Sequence, residues 1–91
     1  MSKKTTKYNQ TGIGKLPIDK PALYRIETEG STLNYAGIAK RGRVQERVQE
    51  HLGDIPGATV RIEQFNRIQD AREKEARVIQ INKPKYNDQG T

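Results

Sequence analysis

The apolar residues beyond residue 21 change their periodicity along the chain, and the order of these changes limits the folds available to it. Two runs rich in strand-forming residues, 22–28 and 33–39, flank a short Gly-containing turn at 29–32. Two such runs around a short turn predict an antiparallel β-hairpin. A hairpin of this size is stable only when it belongs to a larger sheet or packs against a helix.

The next run has a helical repeat. Val44, Val48 and Leu52 recur every four residues, and Gly53 follows as a predicted C-terminal stop. Beyond a turn, Val60 and Ile62 alternate with charged residues, which predicts a third strand.

A second helix is predicted over residues 69–81, with Asp70 near its start and Pro84 beyond its end. The order β-β-α-β-α favours an α+β fold, in which helices pack against a small sheet containing antiparallel strands.

Composition narrows the class of protein further. Only 32% of the residues are hydrophobic and Trp is absent, which favours a compact two-layer fold over one with a large cavity. The absence of Cys excludes disulfides and thiolate metal sites, and a single His argues against structural zinc. No run is long enough to span a membrane and no signal peptide is recognisable, so we expect a soluble, cytoplasmic protein.

The formal net charge of +6 is unevenly distributed. Residues 1–20 carry five Lys and one Asp, whereas residues 21–91 contribute only +2. We therefore predict a flexible basic N-terminal arm over 1–20, followed by one domain over 21–91. A basic arm fits a polyanionic partner, although many soluble domains are equally basic for solubility.

Glu75 lies where the second helix should be apolar. At about 100° per residue from Ala71, Val78 falls at about −20°, Glu75 at about 40° and Ile79 at about 80°. An unpaired buried carboxylate is costly, so it normally finds a cationic partner or a metal, or takes up a proton. An ion pair with Arg47 and a functional role are both open interpretations of this position.

Two further pairs of polar side chains border the predicted core. Arg47 and His51 are four residues apart on the first helix and flank its apolar stripe, and Tyr24 and Tyr35 lie on the two strands of the hairpin. Each pair is compatible with ordinary packing. Taken with Glu75, they also supply what phosphodiester hydrolysis requires: an arginine for phosphate, a carboxylate for Mg²⁺ and a group that accepts a proton from water.

At this point the motifs resemble those of the GIY-YIG nuclease superfamily. "ALY" (22–24) and "YAG" (35–37) are similar to its paired motif, and they are followed in order by Arg47 and His51, then Glu75, then Asn87 in "KPKYN". The spacing from Glu75 to Asn87 is similar to that in the incision domain of bacterial excision-repair nucleases.

The resemblance implies a three-stranded antiparallel sheet flanked by helices, and DNA cleavage with one divalent cation, Mg²⁺ or Mn²⁺. By position, Tyr24 and Tyr35 would position and activate the attacking water, and Arg47 would hold the scissile phosphate. His51 would assist proton transfer, Glu75 would be the metal ligand, and Asn87 would orient the network.

The sequence departs from the family pattern at a few places. Ala22, Leu23 and Ala36 are conservative changes, but Ile38 stands where some members have a Lys directly after the second motif. We expect nucleic-acid contacts from the cations Lys40, Arg41 and Arg43. Phosphate contacts do not read sequence, so specificity is expected to be low unless a protein partner or a homodimer supplies it.

Three functions are thus distinguishable. The first is a metal-dependent DNA endonuclease, which the complete residue set favours. The second is a catalytically silent nucleic-acid-binding module with the same fold. The third is a small basic interaction protein in which the Tyr, Arg and Glu side chains are structural.

Overall fold

The computed structural model describes residues 3–87, which form four strands and three helices. The strands are β1 (Lys3–Lys7), β2 (Ala22–Glu27), β3 (Leu33–Ala39) and β4 (Thr59–Gln64). The helices are α1 (Gln10–Ile13), α2 (Val44–Glu50) and α3 (Ile68–Asn82). None of the helices in this range is long and apolar enough to cross a membrane.

The strands form one antiparallel sheet in the order β1-β4-β2-β3. The α+β class is confirmed, and so is the hairpin, in which Tyr24 lies opposite Gly37. The predicted number of three strands is wrong, because β1 adds a fourth strand along β4. The strand β3 lies at the edge of the sheet, and this edge becomes important for the site.

The structure places the N-terminal segment differently from a flexible arm. Lys3 to Lys7 pair with residues of β4 from Glu63 to Thr59, and Tyr8, Ile13 and Leu16 are buried. Tyr8 also donates a backbone hydrogen bond to the carbonyl of Ala58. Among the described residues before 21, the backbone therefore extends the sheet and three side chains enter the core. Lysines along such an edge strand also discourage pairing with other chains.

The two faces of the sheet carry separate apolar clusters. On one face, Tyr24, Ile26 and Ile62 pack with Val44 and Val48 of α2. On the other face, alternate residues of the strands pack against α3; the cluster contains Leu23, Ala36, Phe65, Ala71 and Val78. Successive side chains of a strand point to opposite faces of the sheet. One alternate set therefore packs toward α2 and the other set packs toward α3.

Helix α2 is shorter than predicted. It ends at Glu50, with His51 as its C-cap in a right-handed conformation, and Gly53 does not act as the stop. The Tyr8 hydroxyl lies 2.6 Å from the carbonyl oxygen of His51 and 2.8 Å from that of Ile55. Burial, reinforced by the nearby Asp54 carboxylate, raises the pKa of Tyr8 to about 12, so the phenol stays protonated. The N-terminal segment therefore fixes the end of α2.

Helix α3 ends where the sequence predicts, since Asn82 is its last residue and the buried Pro84 follows soon after. Lys83 between them adopts a left-handed conformation with φ 45°. The chain then turns back, and the amide of Tyr86 donates to the carbonyl of Asn34 on β3 at 2.9 Å.

A buried ion pair joins α3 to the sheet. The Glu63 side chain on β4 is fully buried, and both of its oxygens accept hydrogen bonds from the Lys74 ammonium, at 2.8 and 2.9 Å. The Arg25 guanidinium lies 3.9 Å from the same carboxylate. At about 100° per residue from Ala71, Lys74 borders the apolar stripe of α3, and its long stem carries the ammonium to Glu63.

Replacement of Lys74 by Met is expected to destabilise the protein by about 3 kcal/mol, because it leaves the Glu63 carboxylate buried with only the more distant Arg25. Chemical denaturation measures the loss. The double variant Glu63→Leu/Lys74→Met removes the buried charge and should recover most of the stability. Equal instability of the two variants would show that the cost arises from packing alone.

Candidate active site

The predicted site residues converge on the β3 edge of the sheet. Tyr24 and Tyr35 project from the face that α2 covers, and α3 packs against the opposite face. Both helices contact β3, so side chains of α2 and α3 can meet around this edge. A site placed at a sheet edge between two helices is held by three rigid elements, which limits its motion.

Three rings form the centre of the site. The Tyr24 hydroxyl oxygen lies 2.9 Å from Nε2 of His51, which is hydrogen-bond distance. The ring of Tyr35 has its centroid 4.6 Å from that of His51 and 6.1 Å from that of Tyr24. The hairpin and the end of α2 thus bring together three residues that are far apart in sequence.

Gly37 makes this arrangement possible. A Cβ atom at position 37 would lie 2.6 Å from the Tyr24 hydroxyl oxygen and 2.9 Å from Cε2 of Tyr35. These distances are far below van der Waals contact, so any side chain at this position would displace both rings. The glycine of the "YAG" motif is therefore required for space rather than for backbone conformation.

The variant Gly37→Ala is expected to lose about 1–3 kcal/mol of stability through overpacking and to break the Tyr24–His51 contact. Thermal unfolding measures the first effect. The chemical shifts of the His51 ring protons, compared with those of wild type, measure the second. Gly53→Ala is the matched control, because a Cβ there meets nothing within 4 Å; a Gly37→Ala variant that kept wild-type stability and shifts would contradict this account.

The protonation states of the central pair follow from burial and charge. Burial, and secondarily the phenol of Tyr35, raises the pKa of Tyr24 well above its usual range, although the Arg47 guanidinium opposes this shift. Burial lowers the pKa of His51, and the Arg47 guanidinium lowers it further. The carboxylates of Glu50 and Asp54 oppose this shift but do not cancel it. At neutral pH, Tyr24 therefore keeps its proton and His51 is neutral. When the imidazole proton is on Nδ1, the phenol donates to Nε2 across this contact; in the other tautomer, Nε2–H donates to the phenol oxygen.

Glu75 on α3 is partly buried, and burial raises the pKa of its carboxyl, an effect that the Arg72 guanidinium partly offsets. None of the ion pairs described for residues 3–87 includes Glu75. The pair with Arg47 that the sequence left open is not formed, since Arg47 lies 3.7 Å from Glu50 instead. The negative charge of Glu75 does act on Tyr24, whose pKa it raises.

The donor set fits a cation that needs few protein ligands. Within residues 3–87, no three His, Asp or Glu side chains are grouped as they are in a site built from several protein ligands. Mg²⁺ commonly binds through one or two carboxylates and keeps several waters. A partly buried carboxylate that lacks an ion-pair partner and is penalised by burial is compatible with this type of binding.

Asn87 acts on the backbone of β3. Its side-chain oxygen accepts a hydrogen bond from the amide of Ala36 and its side-chain nitrogen donates to the carbonyl of the same residue, both at 2.8 Å. This double contact fixes the strand between Tyr35 and Gly37. Asn87 is therefore placed to orient the tyrosines through the strand.

Comparison with solved structures shows what this architecture is. The chain is similar to the GIY-YIG N-terminal endonuclease domain of UvrC from Thermotoga maritima, solved with its catalytic magnesium ion. The TM-score is 0.64 and the identity 23%, over 81% of this chain and 93% of the domain. This chain has the GIY-YIG fold. No family model matches the sequence, and no curated protein matches it.

The GIY-YIG fold of this chain carries a basic cleft, whose lining includes Arg47 but not the three rings or Glu75. Its volume is about 290 Å³, and it is lined by four cationic and three apolar residues: Lys40, Arg43, Arg47, Arg72, Ile38, Ala39 and Ile68. Of the cations that the sequence assigned to nucleic acid, Lys40 and Arg43 reach the cleft, and Arg41 is not among its lining residues.

Sequence reasoning missed Arg72. Arg72 precedes Glu75 by three residues on α3, so the two side chains lie on one side of the helix. Nothing in the local sequence separates it from the other charged residues of α3. Its position became visible only when the fold brought the start of α3 to the same cleft as Arg47.

Proposed function

We propose that this protein is a divalent-metal-dependent endonuclease that hydrolyses phosphodiester bonds in DNA. The observation that carries the proposal is the 2.9 Å contact between the Tyr24 phenol and a neutral His51 at the sheet edge that α3 shares. The UvrC domain with the same fold is an endonuclease domain that binds a catalytic magnesium ion, which supports the assignment.

Tyr24 and His51 would move the proton of the attacking water. With its raised pKa, Tyr24 is too weak an acid to exist as a phenolate at neutral pH, so it does not act as a base alone. Its oxygen can accept a hydrogen bond from water while its proton passes to Nε2 of His51. The neutral imidazole is thus the final acceptor, and Tyr35 packs against it to hold its orientation.

Arg47 and Glu75 would bind the phosphate and the metal. The Arg47 side chain is half-exposed and lines the basic cleft, so its guanidinium is accessible to a phosphate oxygen. Glu75 would hold Mg²⁺ or Mn²⁺, which when bound neutralises charge on the phosphate and the leaving oxygen. Asn87 would keep Tyr35 in register through its two bonds to Ala36.

We propose low intrinsic sequence specificity. Within the part of the chain that the structure describes, the cleft presents guanidinium and ammonium groups, which would contact phosphates, and its remaining lining is aliphatic. Such contacts position a nucleic acid without reading its bases. A protein partner or a second copy of the chain would then have to supply any sequence preference.

Cleavage of supercoiled plasmid and of labelled branched DNA tests the proposal. Wild type should nick both substrates with Mg²⁺ or Mn²⁺ and not with EDTA, and Arg47→Ala should lose roughly 10²-fold in rate. Gln49→Ala, an exposed change on the same helix, is the matched control and should cleave normally. DNA binding without cleavage under every metal condition would instead support a silent binding module, with Ile38 in place of a lysine as the first position to examine.

A further inference from the structure

The basic cleft contains more cationic groups than one scissile phosphate requires. Arg43 and Arg47 extend from α2, Lys40 follows β3, and Arg72 reaches it from α3. Among residues 3–87, no acidic residue lines the cleft. Four like charges around a cavity of about 290 Å³ repel one another, and a bound anion relieves this repulsion.

The four cations differ in their ion pairs. Arg43 pairs with Glu46, and Arg47 pairs with Glu50, in each case within helix α2. Lys40 and Arg72 take part in none of the ion pairs described for residues 3–87. Their charges are therefore not compensated by a neighbouring carboxylate at contact distance.

The apolar part of the lining gives the cleft a second property. Ile38 and Ala39 of β3 and Ile68 of α3 line the cleft together with the cations. A polynucleotide strand alternates charged phosphates with less polar sugars, so this lining matches a strand segment better than it matches a free inorganic anion.

We infer that Lys40 and Arg72 bind a backbone phosphate of the DNA strand next to the phosphate held by Arg47. This inference rests on the proposed function. In it, the strand crosses the β3 edge from α2 to α3, and its sugar packs on Ile38. Arg72 is then a positioning residue, which supplies from α3 the positive charge that Ile38 does not supply from β3.

Arg72 also lies close enough to Glu75 to act on its carboxyl group. Its guanidinium also lowers the pKa of the Glu75 carboxyl, in opposition to burial. A DNA phosphate bound at Arg72 would be held one helical turn from the proposed metal ligand. Binding of the strand and placement of the reacting phosphate are therefore linked through a single segment of α3.

Binding of a fluorescent DNA duplex in EDTA, over a series of salt concentrations, tests this inference without requiring cleavage. All variants are built on Glu75→Gln, so that no turnover can occur. Arg72→Ala is expected to weaken binding about tenfold and to reduce the slope of log affinity against log salt by about 1. Arg72→Lys should restore the slope, because it restores one phosphate contact.

Arg77→Ala is the matched control, since Arg77 is exposed on the same helix and lies outside the cleft. It should leave both affinity and slope close to those of the parent. Equal effects of Arg72→Ala and Arg77→Ala would overturn the inference, because only overall charge would then matter. No effect of Arg72→Ala would overturn it as well. A protein that binds as described but never cleaves would refute the proposed nuclease while leaving this phosphate site in place.

Discussion

The variant Glu75→Gln is expected to cleave DNA at a rate lower by on the order of 10³-fold. Without metal, the variant is expected to be more stable than wild type. The loss follows from removal of the only metal ligand proposed here, whose bound cation supplies several kcal/mol of transition-state stabilisation. The gain in stability follows from burial, which raises the pKa of the Glu75 carboxyl and so disfavours its charged form in the folded state.

The sign of the stability effect can be checked against pH. A carboxyl whose pKa is raised on folding contributes stability below its unfolded value, near 4.5, and loses that contribution as the pH rises through the folded value. At pH 7 the variant should therefore melt at a higher temperature than wild type in EDTA, and the difference should shrink on acidification. Mg²⁺ should raise the melting temperature of wild type and leave that of Glu75→Gln unchanged.

Thermal unfolding with EDTA and with Mg²⁺ measures both effects. Glu73→Gln is the matched control, since it removes an exposed carboxylate from the same helix and should change neither the stability nor the Mg²⁺ response. A Glu75→Gln variant that melts well below wild type would contradict this account, because it would show that the carboxylate stabilises the fold.

The variant Tyr24→Phe is expected to reduce the cleavage rate by about 10²–10⁴-fold with little change in DNA binding. The substitution removes only the hydroxyl that contacts Nε2 of His51 and retains the buried ring. Single-turnover cleavage with saturating enzyme separates the chemical step from binding. Tyr86→Phe is the control, because the Tyr86 hydroxyl takes part in none of the side-chain hydrogen bonds described for residues 3–87. Loss of this hydroxyl should leave the rate unchanged.

The pH profile distinguishes a relay through His51 from a purely structural Tyr24. Because burial lowers the pKa of His51 below its ordinary value of 6.5, the imidazole is neutral at pH 7 and gains a proton only on acidification. Wild-type activity should therefore fall on the acid side of 6.5, and no loss should appear near pH 10, since the pKa of Tyr24 is raised. NMR measures the titration of His51 directly. If the wild-type cleavage rate stays constant over the pH range in which His51 titrates, the imidazole is excluded as the proton acceptor.

Much of the fold was predictable because the apolar patterns of its elements agree with their environment. The hairpin of β2 and β3 alternates between two covered faces, and α2 presents Val44 and Val48 to one of them. The strand β1 was missed for the opposite reason. Its sequence, KKTTK, has no apolar residue, and it joins the sheet through backbone hydrogen bonds that no side-chain pattern reveals. Tyr8, Ile13 and Leu16 were the available signal that this segment is packed.

The candidate site could be marked from the sequence to the extent that its residues interrupt these patterns. Glu75 interrupts an apolar stripe, and Arg47 and His51 flank another, so periodicity alone marks them. Other features depend on the tertiary structure. The space that Gly37 leaves for two tyrosine rings and the position of Arg72 across the cleft exist only after the strands and helices have packed.

A Mg²⁺ titration of plasmid nicking by wild type and by Glu75→Gln, with both proteins shown to be folded, tests whether Glu75 holds a catalytic cation. Nicking by wild type should saturate with Mg²⁺ and be abolished by EDTA, and the variant should show no detectable nicking at any Mg²⁺ concentration. Equal nicking by the two proteins, or nicking by wild type that persists in EDTA, would contradict this role of Glu75.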